Sequence, residues 1–158
     1  MLKPRADWCD LGEVVEGAIA DLTPLIGKHH VIRTVPTDLP QIVADEVLVR
    51  QAIFNILQNC VAYTPDDARI SLTASYDSAE VTLTIEDNGH GFESEVLPRI
   101  FDKFFRGPNP GAPGTGLGLS IARGFIEANK GTLVAANRAQ GGARFVITLP
   151  AAKPPPEA

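Results

Sequence analysis

Two alternating runs constrain this chain most: Ile70, Leu72, Ala74 and Tyr76, then Val81, Leu83 and Ile85, joined through Asp77-Ser78-Ala79. A period of two puts each set on one face of a strand, and the short polar connection turns the second strand back on the first as an antiparallel pair. A hairpin with one apolar face needs a covering layer, because a lone hairpin is barely stable in water. Helical patterns supply that layer. Leu11, Val14, Val15, Ala18, Ile19, Leu22 and Leu25 fall on one stripe and predict a first helix over Asp10 to Lys28. Asp45 can cap a second helix reaching about Tyr63, which Thr64-Pro65-Asp66-Asp67 terminates. A third is predicted over Leu117 to Asn129, with Gly131 closing it as the left-handed residue. His29 to Val35 reads as a strand, and the turn residues Pro36, Asp38 and Pro40 precede the short apolar run Ile42-Val43. Thr132 to Asn137 and Ala143 to Leu149 form a last hairpin across Gln140-Gly141-Gly142, and an amphipathic piece is expected near Glu95 to Phe105. The expected fold class is α/β (α+β), a two-layer sandwich: a mixed, mainly antiparallel sheet of about five strands with three helices on one face.

A length of 158 residues suits one domain, placed at residues 10–150 between a linker remnant at 1–9 and a disordered Pro-rich tail at 151–158. No apolar run reaches the ~18 residues of a membrane span, so no membrane contact is expected of this domain. Two cysteines without a framework suit a reducing compartment, the cytoplasm. The net charge of −5 argues against nucleic acid as a partner, since phosphate-backbone affinity needs concentrated Lys and Arg. Arg99, Lys103, Arg106 and Arg123 nevertheless lie close together around a Gly-rich stretch. They are either a local positive field for an anionic ligand or ordinary solvated charge.

Three places resist a purely structural explanation. On the second helix Val49, Ile53, Ile56, Leu57 and Cys60 share one side, while Asn55, Asn59 and Ala62 share another, with Tyr63 at its border. The two asparagines, poor helix formers, are either a solvated face or neutral oxygens lining a cleft for a hard cation such as Mg²⁺. Asp87 continues the phase of Val81, Leu83 and Ile85, so its carboxylate points to the buried face. Burying it alone would cost at least about 2–7 kcal/mol, the range for a neutral polar group, so a donor must meet it. The 6-amino group of adenine is one such donor; a capping role in the turn Asn88-Gly89-His90-Gly91 is the other reading. Gly114-Thr115-Gly116-Leu117-Gly118-Leu119 opens onto the third helix, where free N–H groups and the dipole favour phosphate. It lacks the Lys-Ser/Thr ending of a P-loop and the preceding strand of a dinucleotide fold. The eight residues from Arg106 to Pro113 hold three prolines and two glycines, and such a loop is expected to order only around a nucleotide.

Taken in order, these segments resemble the GHKL ATPase superfamily and, within it, the histidine kinases. Phe54 to Pro65 (FNILQNCVAYTP) resembles the N box, Asp87 to Phe92 (DNGHGF) the first glycine box, and Gly114 to Ser120 (GTGLGLS) the second. Ile100 to Arg106 (IFDKFFR) resembles the F box, which the kinases carry and the other branches do not. Order and spacing agree over about Leu11 to Pro150, and the stretch from Thr115 to Gly124 resembles the potassium-responsive osmosensor kinases of the KdpD type. The resemblance implies a Bergerat ATP-binding fold with ATP and Mg²⁺ as cofactors. It implies that Asn59 holds Mg²⁺, that Asn55 lies beside the phosphates, and that Tyr63 packs on base and ribose. Asp87 would read the adenine amine, with Gly89, Gly91 and Phe92 around the base. Lys103 and Arg106 would reach the β- and γ-phosphates, so that Asn55, Lys103 and Arg106 are the candidate catalytic residues. Gly107 to Pro113 would form a lid, and Gly114, Thr115, Gly116, Leu117, Gly118 and Leu119 would wrap the phosphates. The implied partners are the dimerisation and histidine-phosphotransfer domain of the same kinase and, indirectly, a response regulator. The chain would then be a cytoplasmic part of a membrane-anchored bacterial kinase.

Two departures stand out. Ala62 occupies a position where the family commonly has a lysine that helps bind phosphate, which implies weaker ATP binding. His90 replaces a small or Pro-like residue and is expected to be an exposed loop histidine. The acceptor motif, His followed by Glu or Asp, is absent, for His29-His30-Val31 begins a predicted strand. The gyrase- and Hsp90-like hydrolases and the serine-kinase anti-sigma factors usually place a glutamate where this chain has Asn55, which cannot serve as a general base. A nucleotide-binding module without catalysis remains the other open alternative.

Overall fold

The computed structural model describes residues 3–105 and 118–152. In chain order the elements are β1 (Asp7–Cys9), α1 (Leu11–Leu22), β2 (His30–Thr34), β3 (Ile42–Ala44), α2 (Glu46–Ala62), β4 (Arg69–Tyr76), β5 (Glu80–Asp87), α3 (Gly118–Ala128), β6 (Thr132–Asn137) and β7 (Ala143–Pro150). Five strands make one sheet in the order β2-β4-β5-β7-β6; β2 runs parallel to β4 and every other pair is antiparallel. The predicted hairpin pairs Ile70 with Asp87 and Leu72 with Ile85, so its two apolar sets share a face. Ile70, Leu72, Leu83, Ile85 and Phe145 of that face are fully buried against Ile53, Ile56 and Leu57 of α2, Leu11 and Leu22 of α1, and Ile126 of α3. The two-layer sandwich read from the sequence is therefore the observed architecture.

The predicted N-cap at Asp45 forms, and Asp10 caps the first helix in the same way. Asp10 Oδ1 accepts from the Gly12 and Glu13 amides, and Asp45 Oδ1 from those of Val47 and Leu48. The first helix stops at Leu22, short of the predicted Lys28, because Pro24 has no N–H to continue the ladder; Thr23–Leu25 form one 3₁₀ turn and Leu25 is exposed. Only a 3₁₀ turn at Leu97–Arg99 appears where an amphipathic piece was expected over 95–105. The end of α3 also differs in detail. The left-handed residue is Lys130, with φ 65°, and the Gly131 amide bonds the Ile126 carbonyl while that of Lys130 bonds Glu127. Gly131 is required for another reason: a Cβ there would stand 2.5 Å from the Thr148 carbonyl oxygen of β7.

The segment read as a linker remnant contains β1, which pairs with β3 so that Trp8 faces Val43. Ala151, read as the start of the tail, bridges Ile42, and the Ala152 amide bonds the Gln41 carbonyl. Residues 153–158 of that tail lie outside the described residues. No helix among the described residues is long and apolar enough to cross a membrane.

Candidate nucleotide-binding site

Phase carries Asp87 to the buried face of β5, where its side chain is 5% exposed at the strand's end. Its Oδ1 accepts from the Gly89 amide at 3.0 Å and the Ala143 amide at 3.1 Å. Burial first, then the nearby Asp87 carboxylate, pushes the pKa of the Cys60 thiol well above its ordinary value. A carboxylate offers about four acceptor positions, so capacity remains for a further donor.

The last turn of α2 packs against this strand end. Thr64 donates to the Cys60 carbonyl at 2.6 Å, lies 2.9 Å from His29 Nε2, and fills the space where a Cβ on Gly89 would stand. Tyr63 follows as the exposed C-cap residue of α2. At the other end of the same stripe, Asn55 Nδ2 donates to the Gly118 carbonyl at 3.1 Å and its Oδ1 accepts from Gln51. Asn55 thus ties α2 to the first residue of α3, with Leu119 buried beside it in that helix's first turn. Half-buried Asn59 lies one turn further along, between the two groups. Asn55 and Cys60 are separated by about 7.5 Å of helix rise, so α2 spans the distance between the carboxylate and the start of α3.

The first glycine box is held by the last hairpin, a role missed in the sequence. Gly91 adopts φ 75°, and a Cβ on it would meet Asn137 Oδ1 at 2.6 Å. Phe92 packs edge-on against Phe145, their ring centroids 6.1 Å apart. Asn137, Arg138 and Gly142 surround this loop, and no signal short of knowing that β7 pairs with β5 identifies them. Given Glu86 opposite Arg144, the next step of the register puts Ala143 beside Asp87. His90 is exposed, as expected of it.

The positive cluster is less free than its spacing suggested. Arg99 stacks on the Phe105 ring at 4.5 Å and lies 3.6 Å from Asp102, while Arg123 sits 5.3 Å over Phe101 and 3.4 Å from Glu127. Lys103 is exposed beside Phe104, which has φ 65°. Arg106, the lid segment 107–113, and Gly114, Thr115, Gly116 and Leu117 lie outside the described residues.

The profile of the histidine kinase-, DNA gyrase B- and HSP90-like ATPase family matches residues 44–153. The chain is 37% identical over 147 residues to sensor protein KdpD of Escherichia coli (strain K12), an alignment covering 92% of this chain and 16% of that protein. It is 36% identical over 146 residues to the adaptive-response sensory kinase SasA of Synechococcus sp. (strain CC9311), covering 89% and 38%. The chain thus spans well under half the length of these curated relatives. Among solved structures, full-length ShkA in complex with AMPPNP superposes with a TM-score of 0.82 at 25% identity, over 96% of this chain and 32% of that one. The mycobacterial sensor histidine kinase MprB shares the fold at a TM-score of 0.81 and 24% identity, over 92% and 97%. With a matching profile over most of its length and the expected sandwich beneath it, this chain belongs to the histidine kinase-, DNA gyrase B- and HSP90-like ATPase family.

Proposed function

We propose that the cleft bounded by α2, the end of β5 and the start of α3 binds Mg-ATP and presents its γ-phosphate to a histidine on a separate dimerisation and phosphotransfer domain. The carrying observation is Asp87: a buried carboxylate whose Oδ1 is fixed by two backbone amides, with acceptor capacity left for a donor such as the adenine 6-amino group. A guanine would offer an oxygen at that place and be repelled. Nucleotide binding by a relative supports the same assignment, since ShkA was crystallised with AMPPNP.

Polarity along α2 then orders the remaining roles. Tyr63, Gly89, Gly91 and Phe92 border the purine end. Asn55, through the Gly118 carbonyl, fixes the start of α3 at the phosphate end, where Leu119 closes the first turn. Gly114, Thr115, Gly116, Leu117 and Gly118 offer backbone N–H groups to the phosphates, and Lys103 and Arg106 supply positive charge to the β- and γ-oxygens. Asn59 suits Mg²⁺ as a neutral oxygen ligand, because that ion keeps most of its waters and takes few protein atoms. Among the described residues no cluster of His, Cys, Asp or Glu could hold a metal on its own, which fits an ion bound jointly with phosphate. When bound, Mg²⁺ supplies charge neutralisation between phosphate oxygens, and the chain's own work is positioning. Hydrolysis fits less well, since no carboxylate stands at Asn55 and its amide is already committed to Gly118 and Gln51. The phosphate would pass onward to a response regulator, and an ATP-dependent domain of this kind works on the cytoplasmic side.

Titration calorimetry tests the assignment. Asp87→Asn keeps one oxygen for the Gly89 and Ala143 amides but puts an amide donor opposite the adenine amine. It should cost about 1.5–3 kcal/mol, about one to two orders of magnitude in Kd for Mg-ATP. An unchanged Kd in that variant would remove the basis for the proposal.

A further inference from the structure

The loop between Asp87 and Phe92 is gripped at both ends by residues of the β6–β7 turn. Asn137 makes a two-way bond with Phe92: Oδ1 accepts from its amide at 2.8 Å and Nδ2 donates to its carbonyl at 2.7 Å. Arg138 Nη1 donates to the main-chain carbonyl of Asp87 at 2.8 Å. Its Nε is buried without a hydrogen bond and lies 3.5 Å from Glu86 Oε2, an oxygen already taken by Arg144 at 2.8 Å. The guanidinium's one close hydrogen bond among the described residues is therefore to that carbonyl, its contact with Glu86 being long and shared. Gly142 completes the contact, since a Cβ there would stand 2.0 Å from the Asp87 carbonyl oxygen.

We infer that Asn137 and Arg138 are positioning residues for purine selection, holding the Asp87–Phe92 loop at its two ends so that the carboxylate stays aimed at the 6-position of the base. This rests on the proposal that Asp87 receives the adenine amine. Neither side chain needs to touch nucleotide. Each fixes backbone on which the Asp87 carboxylate and its Gly89 donor are carried, and a side-chain amide that pairs with both polar groups of one residue acts as one further rung of sheet. Losing the clamp leaves the phosphate end tied through Asn55 to α3, so the base is affected before the triphosphate is.

The test compares Mg-ATP with Mg-ITP, which differs by an oxygen in place of the 6-amino group, on the whole chain by calorimetry. Asn137→Ala should raise the Kd for ATP by about three- to tenfold while that for ITP changes less, so the preference for ATP shrinks. Arg138→Ala should do the same and carries the test if the first variant does not fold. Faster hydrogen exchange at the Phe92 amide of Asn137→Ala should accompany the loss. A loop loosened in this way with the ATP preference intact, or both nucleotides weakened by one common factor, overturns the inference and leaves the Asp87 proposal standing. A wild-type chain that binds ATP and ITP equally sinks the Asp87 proposal, and the clamp's role in purine selection with it.

Discussion

At the scale of single residues, Ala62 is the last residue of α2, exposed beside Tyr63, with no charge to offer a phosphate. An Ala62→Lys variant adds an exposed cation at the rim of the proposed cleft. Exposed charge pairs contribute about 0.2–1 kcal/mol, so calorimetry should show up to about a fivefold tighter Kd for Mg-ATP, fading at high salt. The two cysteines make a contrasting prediction. Burial, then the nearby carboxylates of Glu46, Asp10, Asp7 and Asp45, pushes the Cys9 thiol up to about 11, and Cys60 is raised well above its ordinary value by burial and Asp87. Both remain thiols at pH 8, so iodoacetamide should label neither in the folded chain, and labelling should follow unfolding in urea. Asp87 was legible in the sequence because a charge in phase with Val81, Leu83 and Ile85 contradicts its surroundings, whereas Asn137 was not, because a polar residue ending a strand contradicts nothing. Only the tertiary pairing of β7 with β5 brings it to the loop.

Among the elements, the β4–β5 hairpin was read correctly from alternation, and its turn carries a pH-dependent contribution. The amides of Ala79 and Glu80 both donate to Asp77 Oδ1 at 2.8 Å, Ala79 having the larger effect, and hold that carboxyl below its ordinary range. A lowered folded pKa means that the turn's contribution is fully present above the unfolded value, about pH 4, and is lost as pH falls through the folded one. Asp77→Asn keeps an acceptor but cannot titrate. Its melting temperature should lie slightly below wild type at pH 7 and converge with it as the pH is lowered below about 4. Element ends were less legible than element types, for physical reasons visible in two places. Pro24 cut α1 short although the apolar stripe continued to Leu25, and Lys130 took the left-handed position because Gly131 was needed where β7 approaches. A missing donor ended a periodic pattern in the first case, and a close backbone approach displaced an expected helix-end signal in the second.

Across the whole molecule, the sandwich sets the proposed nucleotide cleft apart from each of the chain's histidines as a phosphate acceptor. Its three histidines can be taken in turn. His29 has both ring nitrogens engaged, Nδ1 with the Ile26 carbonyl at 3.1 Å and Nε2 with Thr64 Oγ1 at 2.9 Å, at the Gly89 end of the cleft. His30 opens β2, paired with Arg69 of β4. His90 is exposed in the first glycine box, at the purine end of the proposed site. Phosphoryl transfer needs the acceptor nitrogen in line with the γ-phosphate, and a misplacement of an ångström is costly, so none of the three should be labelled. Incubation with radioactive Mg-ATP should leave the chain unlabelled after acid-free denaturing electrophoresis, while a dimerisation hairpin supplied in trans acquires alkali-stable, acid-labile label. Label on His29, His30 or His90 would mean that the rigid arrangement of α2, β5 and α3 is not what separates donor from acceptor. Labelling of the hairpin alone, lost with Asp87→Asn, would mean that the sandwich binds and aims the nucleotide and that a second domain completes the reaction.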